Sequence, residues 1–454
     1  MPAPPSDSTS PHILLVNPWI HDFAAYDFWA KPLGLLSLAG ILRQHGLRVS
    51  VIDCLDRFHP AGPQTDTGRR QGRGPYLKTP IAKPAVFSDI HRTFSRYGIL
   101  PEWFRNDLSR LPRPDLVLVT SLMTYWYPGV IETIGEIRRL LPDVPVILGG
   151  VYATLNTEHA INHSGADRVV AGRAEDRILG LVSEITGIGV TPRFDPKDMD
   201  TWPFPALDLL HRVAYLPLLT GRGCPFSCDY CAAKQLNPDW QRRSPDTVVE
   251  EIRYWHRRFG IRDVAFYDDA LLVDAEAHLI PICEQVIREM TTLRFHTPNA
   301  LHLRFITAPV ARLMKRAGFA TIRLGLETMG FREDRPLDRK VSEEEFSAAV
   351  SHLKAAGFDS GQLGAYILAG LPGQAVADIE NAIRLARDSG VTPVLAHYTP
   401  IPGTPLWAAA CKASRYDLAA DPITTNNAVF PCLSQGFSWE VLTRLKRLAR
   451  GEIP

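Results

Sequence analysis

The chain has 454 residues, more than one ordinary domain holds, so two or three domains are expected. Its composition, 45% hydrophobic and 22% charged with a formal net charge of +1, is that of a globular protein and gives no support to a nucleic-acid or membrane partner. No apolar run is long enough to span a bilayer, and seven cysteines, three of them clustered, fit a reducing, cytoplasmic setting better than a disulfide framework.

Residues 1–11, rich in Pro and Ser and without an apolar stretch, read as a disordered tail and not as a signal peptide. His12 to Asn17 is an apolar run stopped by Asn17-Pro18, as in a buried parallel strand. A helix follows from about Leu33 to His45, closed by Gly46, and Leu47 to Asp53 is the next strand. Gly62 to Pro84, rich in Gly, Arg, Thr and Pro, reads as an inserted loop. The alternation resumes with Leu116 to Ser121, a helix over Gly129 to Leu141, Val144 to Gly149, and a strand edge near Val169. These elements predict a doubly wound, Rossmann-like α/β domain over 12–190, with 191–207 as linker. A second alternation, over 208–399, places strands at 215–220, 263–267, 293–297, 321–326, 363–369 and 392–398, with helices such as Thr247 to Phe259 and Ser342 to Ala356 between them. Six such units predict a partial (β/α)6 TIM barrel, with its site at the C-terminal strand ends. Residues 400–454 form an extension with a final helix over Trp439 to Arg450, and Cys54, Cys283, Cys411 and Cys432 are expected to be buried thiols.

The chemistry concentrates in Gly221-Arg222-Gly223-Cys224-Pro225-Phe226-Ser227-Cys228-Asp229-Tyr230-Cys231, directly after a predicted strand. The spacing C-x3-C-x2-C gathers three soft thiolates, and no fourth ligand stands at the spacing of a closed zinc site. Three thiolates on a [4Fe-4S] cube leave one iron open for a small chelating ligand. The bland reading is a degenerate zinc knuckle or three buried thiols.

This motif resembles the signature of the radical S-adenosylmethionine (radical SAM) superfamily. The resemblance implies a [4Fe-4S] cluster on Cys224, Cys228 and Cys231 that cleaves S-adenosyl-L-methionine, giving a 5′-deoxyadenosyl radical that abstracts hydrogen from a small-molecule substrate. It implies an external electron donor of flavodoxin or ferredoxin type, or a reductase. Tyr230 matches the aromatic beside the cofactor adenine. Asp268 and Asp269 close the second strand, where the family meets the methionyl amino group; a solvated turn is the alternative. His296 ends the third strand in His296-Thr297-Pro298-Asn299 and faces either a ligand or a plain turn. Glu327 ends the fourth strand and holds either a ribose hydroxyl or Arg323 in an ion pair. Gly370 and Pro372 match the segment that approaches the adenine. Asp268, His296 and Glu327 are the expected catalytic carboxylate and imidazole groups near the barrel mouth.

Asn17-Pro18, Pro32-Leu33-Gly34-Leu35 and Leu148-Gly149-Gly150 resemble the cobalamin-binding domain of cobalamin-dependent radical SAM enzymes. The mutase pattern Asp-x-His-x-x-Gly is absent; Asp89-Ile90-His91 begins it, but Phe94 stands where Gly is needed. Two outcomes follow from the resemblance. One is C-methylation through cobalamin. The other is radical dehydration without cobalamin, as of an aminoglycoside diol in antibiotic biosynthesis. The second is the expectation here, with Trp19, Tyr125 and Trp126 filling the space of the corrin ring. A reading of another class is an iron–sulfur electron-transfer protein.

Overall fold

The computed structural model describes residues 10–66, 68–328, 341–432 and 437–453, so the expected tail lies outside the described residues up to position 9. The chain divides into two compact units, one running through Ala214 and including Asp421–Thr424, the other holding Tyr215–Ala420 and the rest of the C-terminal region.

The first unit is built on β1 (His12–Asn17), β2 (Arg48–Asp53), β3 (Leu116–Val119), β4 (Val146–Leu148) and β5 (Arg168–Val169), all parallel, in the spatial order β5-β4-β3-β1-β2. Every residue of β1 is buried, because alternate side chains enter different cores. Leu14 and Val16 join the layer with α2 (Pro101–Arg110) and α3 (Tyr127–Leu140); Ile13 and Leu15 join the layer with α1 (Leu33–Gln44) and α4 (Ile178–Thr186). The strand order reverses between β1 and β3, the place where doubly wound sheets hold ligands outside their carboxyl ends.

Two sequence expectations change. The segment read as an inserted loop contains the short strands Gly74–Pro75 and Lys78–Pro80, and the latter joins Ile20–Asp22 and Ser95–Tyr97 in an antiparallel sheet. Its organiser is not a periodic apolar pattern but the Arg57 guanidinium, which donates to the Gly72, Arg73 and Pro75 carbonyls at 2.7, 3.1 and 3.2 Å. The expected linker at 191–207 is also no free tether. Phe194 and Trp202 pack on the α1/α4 layer, Ala206 donates its N–H to Leu36, and Asp208 pairs with Arg43 at 2.8 Å, so the unit closes at Ala214.

The second unit is a six-stranded parallel sheet in sequential order: β6 (Leu216–Leu218), β7 (Asp263–Phe266), β8 (Arg294–His296), β9 (Phe319–Glu327), β10 (Leu363–Ala369) and β11 (Thr392–His397). β6 and β11 are its two edges, which makes it the expected partial barrel. Its helices begin where the sequence signals a start. Ser244 caps α5 (Pro245–Phe259), Thr307 caps α7 (Ala308–Ala317) after α6 (Leu279–Glu289), and Ser342 with Glu345 forms a capping box on α8 (Glu343–Ala355). Gly260 and Gly318 end α5 and α7 in the left-handed region. Cys54, Cys283 and Cys432 are buried as expected, whereas Cys411 is only half-buried. Among the described residues no helix is long and apolar enough to cross a membrane.

Candidate active site

The cysteine motif sits on a loop closed at its base by a two-stranded hairpin, in which Gly221–Arg222 pairs with Gln241–Arg242. Gly223 has φ +84°, and a Cβ there would meet the Asp239 carbonyl oxygen at 2.7 Å, so the entry to the loop admits only glycine. Cys224 and Cys228 are half-buried, Cys231 is exposed, and none is in a disulfide. The Cys231 N–H donates to the Cys228 carbonyl at 3.0 Å, tightening the second half of the motif. A four-iron cluster bonds each thiolate to a different iron, so the three need not converge as ligands of one ion do. Among the described residues no trio of His, Cys, Asp or Glu side chains stands close enough to hold a single ion. Tyr230 packs on the cluster of Leu371, Tyr398 and Leu406, which brings it beside the turn after β10. Its buried hydroxyl has no hydrogen-bond partner among the described residues, an open polar contact next to the thiolate loop.

The two aspartates after β7 part company. Asp269 is exposed. Asp268 is buried, and its oxygens accept from the Thr220 N–H at 3.1–3.2 Å and from the Thr220 hydroxyl at 2.6 Å. Burial pushes its carboxyl up to about 6, against the pull of the Thr220 and Gly221 donors. Its oxygens thus face the strand that leads into the cysteine loop. Asn299, the last residue of the His296-Thr297-Pro298-Asn299 tetrad, donates to the Tyr267 and Asp268 carbonyls at 2.9 and 3.2 Å.

His296 is fully buried, with Nε2 on Asp263 at 2.9 Å and Nδ1 on the Thr321 hydroxyl at 3.1 Å. Asp263 also takes a bidentate pair from Arg294. Both ring nitrogens are therefore engaged inside the barrel wall, and the expected place of His296 as an acid or base at the mouth is corrected to a structural one.

Along β9, Thr321, Arg323 and Gly325 alternate with the buried Ile322, Leu324 and Leu326. Arg323 does not pair with Glu327; it hydrogen-bonds to Tyr366 on β10, whose hydroxyl donates to the Pro298 carbonyl at 2.8 Å. Gly364 leaves room for this guanidinium, since a Cβ would meet Arg323 Nη1 at 2.8 Å and push the side chain aside. Glu327 is buried, follows a register shift in the pairing with β10, and has φ +58°, a conformation that costs a non-glycine residue about 1–3 kcal/mol. Such strain at a buried carboxylate on a strand end suits a ligand-holding group.

After β10, Gly370 (φ +93°) was expected to approach an adenine, yet the flat group that fills its missing side-chain space is the Phe430 ring, 3.0 Å from the position of a Cβ. Phe430 also lies 4.3 Å from the His397 ring at the end of β11. The turn is held by Gln374, whose Oε1 accepts from the Gly370 and Leu371 N–H groups and whose Nε2 donates to the Leu368 carbonyl. Pro372 is half-buried on this turn. Thr220, Tyr366 and Phe430 escape a sequence reading because their partners are remote in the chain, whereas Gln374 bonds within its own turn; the glycines at 364 and 370 are the visible trace of Tyr366 and Phe430.

In the first unit, Trp19 and Tyr125 are buried within the domain. Trp19 packs on Phe104 at 5.1 Å and donates to the Ile99 carbonyl at 2.7 Å. The edge outside the strand ends is formed instead by half-buried Met123, Trp126, Tyr127, Gly149 and Gly150. Tyr127 stacks on Tyr152 at 5.6 Å and donates to Asp421 at 2.9 Å. A Cβ on Gly149 would meet nothing nearer than the Val170 carbonyl at 3.8 Å, so the backbone is open to a flat ligand there. The expected crowding by Trp19, Tyr125 and Trp126 is thus corrected for the first two, whose rings turn inward; Trp126 alone of the three stays at the edge, beside the open backbone at Gly149.

Residues 218–403 match the family model described as Radical SAM superfamily, and residues 100–182 match the B12 binding domain. The chain is a radical SAM enzyme. It is 25% identical to an uncharacterised methyltransferase of Pyrococcus horikoshii over 72% of each chain. It is 20% identical to the cytidylyl-2-hydroxyethylphosphonate methyltransferase of Streptomyces wedmorensis, over 94% of this chain and 82% of the relative. The anaerobic magnesium-protoporphyrin IX monomethyl ester cyclase of Rubrivivax gelatinosus is 23% identical over 65% of this chain, which spans 58% of that relative. Among solved structures, the radical S-adenosylmethionine methyltransferase TsrM of Kitasatospora setae, described with cobalamin and a [4Fe-4S] cluster bound, superposes with a TM-score of 0.63 at 17% identity, over 90% of this chain and 76% of its own. That likeness concerns the fold.

Proposed function

We propose that this radical SAM enzyme methylates a carbon of a small-molecule substrate with cobalamin held by its first domain. The observation that carries the reading is the pairing, in one chain, of a B12-type domain and a radical SAM barrel along which methyltransferase relatives align over up to 94% of the residues. A [4Fe-4S] cluster held by the three thiolates would supply the electron that splits S-adenosylmethionine, and cobalamin held by the first domain would supply a transferable methyl group.

The chain's own residues do the positioning. Gly223 and the hairpin at Gly221–Arg222 shape the loop that presents Cys224, Cys228 and Cys231. Tyr230 and the Gln374-held turn at Gly370–Pro372 bound one side of the cofactor place, and Glu327, held in a strained conformation, is its hydroxyl-binding carboxylate. Arg323 fixes Tyr366 and the inner wall. Met123, Trp126 and the Gly149–Gly150 turn would hold the corrin face. The reading needs an external one-electron donor of flavodoxin or ferredoxin type. Of the acid and base groups that the dehydration reading named, His296 is bonded to Asp263 and Thr321 and Asp268 to Thr220, which leaves Glu327 alone.

The test is production with abundant cobalamin, anaerobic reconstitution with iron and sulfide, and incubation with trideuteromethyl-labelled S-adenosylmethionine, dithionite and a small-molecule extract. Stoichiometric corrin by absorbance and a labelled methylated product are expected. 5′-Deoxyadenosine formed with no corrin bound and no labelled product would replace this reading by hydrogen abstraction without methyl transfer.

A further inference from the structure

Asp268 occupies the strand end where a carboxylate is expected to meet the cofactor's amino group, but its surroundings are those of a brace. Three side chains form a buried chain of hydrogen bonds: the Thr220 hydroxyl donates to Asp268 Oδ1 at 2.6 Å and takes a hydrogen bond from His278 Nε2 at 2.7 Å. Thr220 is fully buried, His278 and Asp268 nearly so. The Thr220 N–H bridges both carboxylate oxygens. Thr220 immediately precedes Gly221, where the hairpin at the base of the cysteine loop begins, and a Cβ on Gly221 would lie 3.0 Å from the Gln241 carbonyl and 3.6 Å from Asp268 Oδ1. The carboxylate therefore lies beside the backbone that launches the loop and accepts its Thr220 N–H. From the other side Asn299 clamps the carbonyls of Tyr267 and Asp268, so the ends of β6, β7 and β8 are tied at this point.

We propose that Asp268, Thr220 and His278 are positioning residues that aim the cysteine loop and thereby set the environment of the cluster it carries, and that Asp268 does not bind the cofactor. A buried carboxylate bonded to the backbone and hydroxyl of the residue before a loop fixes the direction in which the chain leaves the strand. The inference is independent of which reaction follows hydrogen abstraction.

The full-length chain is compared as wild type, Thr220→Val, Thr220→Ser and Asp268→Asn. Without cluster, iodoacetamide labelling rates of the three cysteines and hydrogen exchange at Gly221–Gly223 report loop order. After reconstitution, the electron paramagnetic resonance line shape of the reduced cluster and the affinity for S-adenosylmethionine by equilibrium dialysis are read. Thr220→Val, which touches no cofactor, should raise labelling and exchange roughly tenfold or more and change the line shape; Asp268→Asn should do the same, and Thr220→Ser should restore wild-type values. Should Asp268→Asn fail to fold, the Thr220 pair decides alone. If Thr220→Val is silent in labelling and line shape, the brace is refuted; if Asp268→Asn then weakens cofactor binding with loop order unchanged, the carboxylate is a cofactor ligand.

Discussion

The Gly149-Gly150 turn separates what the fold demands from what a ligand demands. Gly150 has φ +93° and ψ −163°, a region open essentially to glycine alone. A Cβ at that position would stand 2.3 Å from the Ser121 carbonyl oxygen and 2.6 Å from the Ser121 nitrogen, and Ser121 cannot retreat, because its carbonyl accepts the Val151 N–H at 2.8 Å and its hydroxyl bonds the Gly149 carbonyl at 2.7 Å. Gly150→Ala therefore combines a backbone cost of about 1–3 kcal/mol with an overpacking cost of about 1–3 kcal/mol. The sum, about 2–6 kcal/mol, is a large part of a domain's stability, and at about 2–4 °C per kcal/mol the transition of the first unit should fall by roughly 5–20 °C in calorimetry. Gly149→Ala meets only an ordinary contact, so its melting should change by less than the equivalent of about 0.5 kcal/mol. Its effect should appear instead as lower cobalamin retention in absorbance spectra. A Gly150→Ala protein melting within about 1 °C of wild type would refute the steric reasoning. A Gly149→Ala protein that keeps wild-type cobalamin content would remove the ring from this turn.

Three further outcomes are expected. Replacing Cys224, Cys228 or Cys231 by Ala should abolish iron–sulfur absorbance and 5′-deoxyadenosine formation; thermal melts should barely move, because none of the three is buried. Glu327→Gly should relieve the strain at φ +58° and raise stability by about 1 kcal/mol, while Glu327→Gln and Glu327→Gly should both weaken S-adenosylmethionine binding roughly ten- to a hundredfold; dialysis showing unchanged affinity would return Glu327 to a structural role. His296→Ala should destabilise the barrel by about 2–4 kcal/mol without abolishing hydrogen abstraction in the protein that remains folded. Burial pushes Asp263 up, but His296 and Arg294 outweigh it and hold the carboxyl below its usual range. The unfolded carboxyl takes its proton near pH 4 and the folded one only lower, so this stabilisation is present above about pH 4 and lost as pH falls through the folded value. Melts from neutral to acid pH should show that loss in wild type and less of it in His296→Ala.

The features that local chemistry dictates were legible in the chain alone. The C-x3-C-x2-C spacing, with Gly221 and Gly223 beside it, announced a thiolate loop after a strand; strand and helix periods announced a doubly wound sheet and six β/α units. Periodicity does not say which partner a polar side chain chooses. His296 ends a strand in sequence as a ligand would, yet Asp263, 33 residues away, claims it; Asp268 is claimed by Thr220 across 48 residues. An ion pair of Arg323 with Glu327, four residues on, was the alternative to a ribose contact, but the side-chain gap at Gly364 lets Arg323 turn to Tyr366. Gly370 was visible as a place for a flat group, while the ring that fills it, Phe430, arrives from the C-terminal segment. The Pro- and Asp-rich stretch after residue 190 reads as a linker by composition and is bound to the first unit by a few apolar anchors. Sequence patterns determine elements because backbone geometry and apolar period are local; the site's hydrogen-bond partners were decided only when the parallel sheet brought remote strand ends together, where a buried polar group must bond to whatever the packing places within reach.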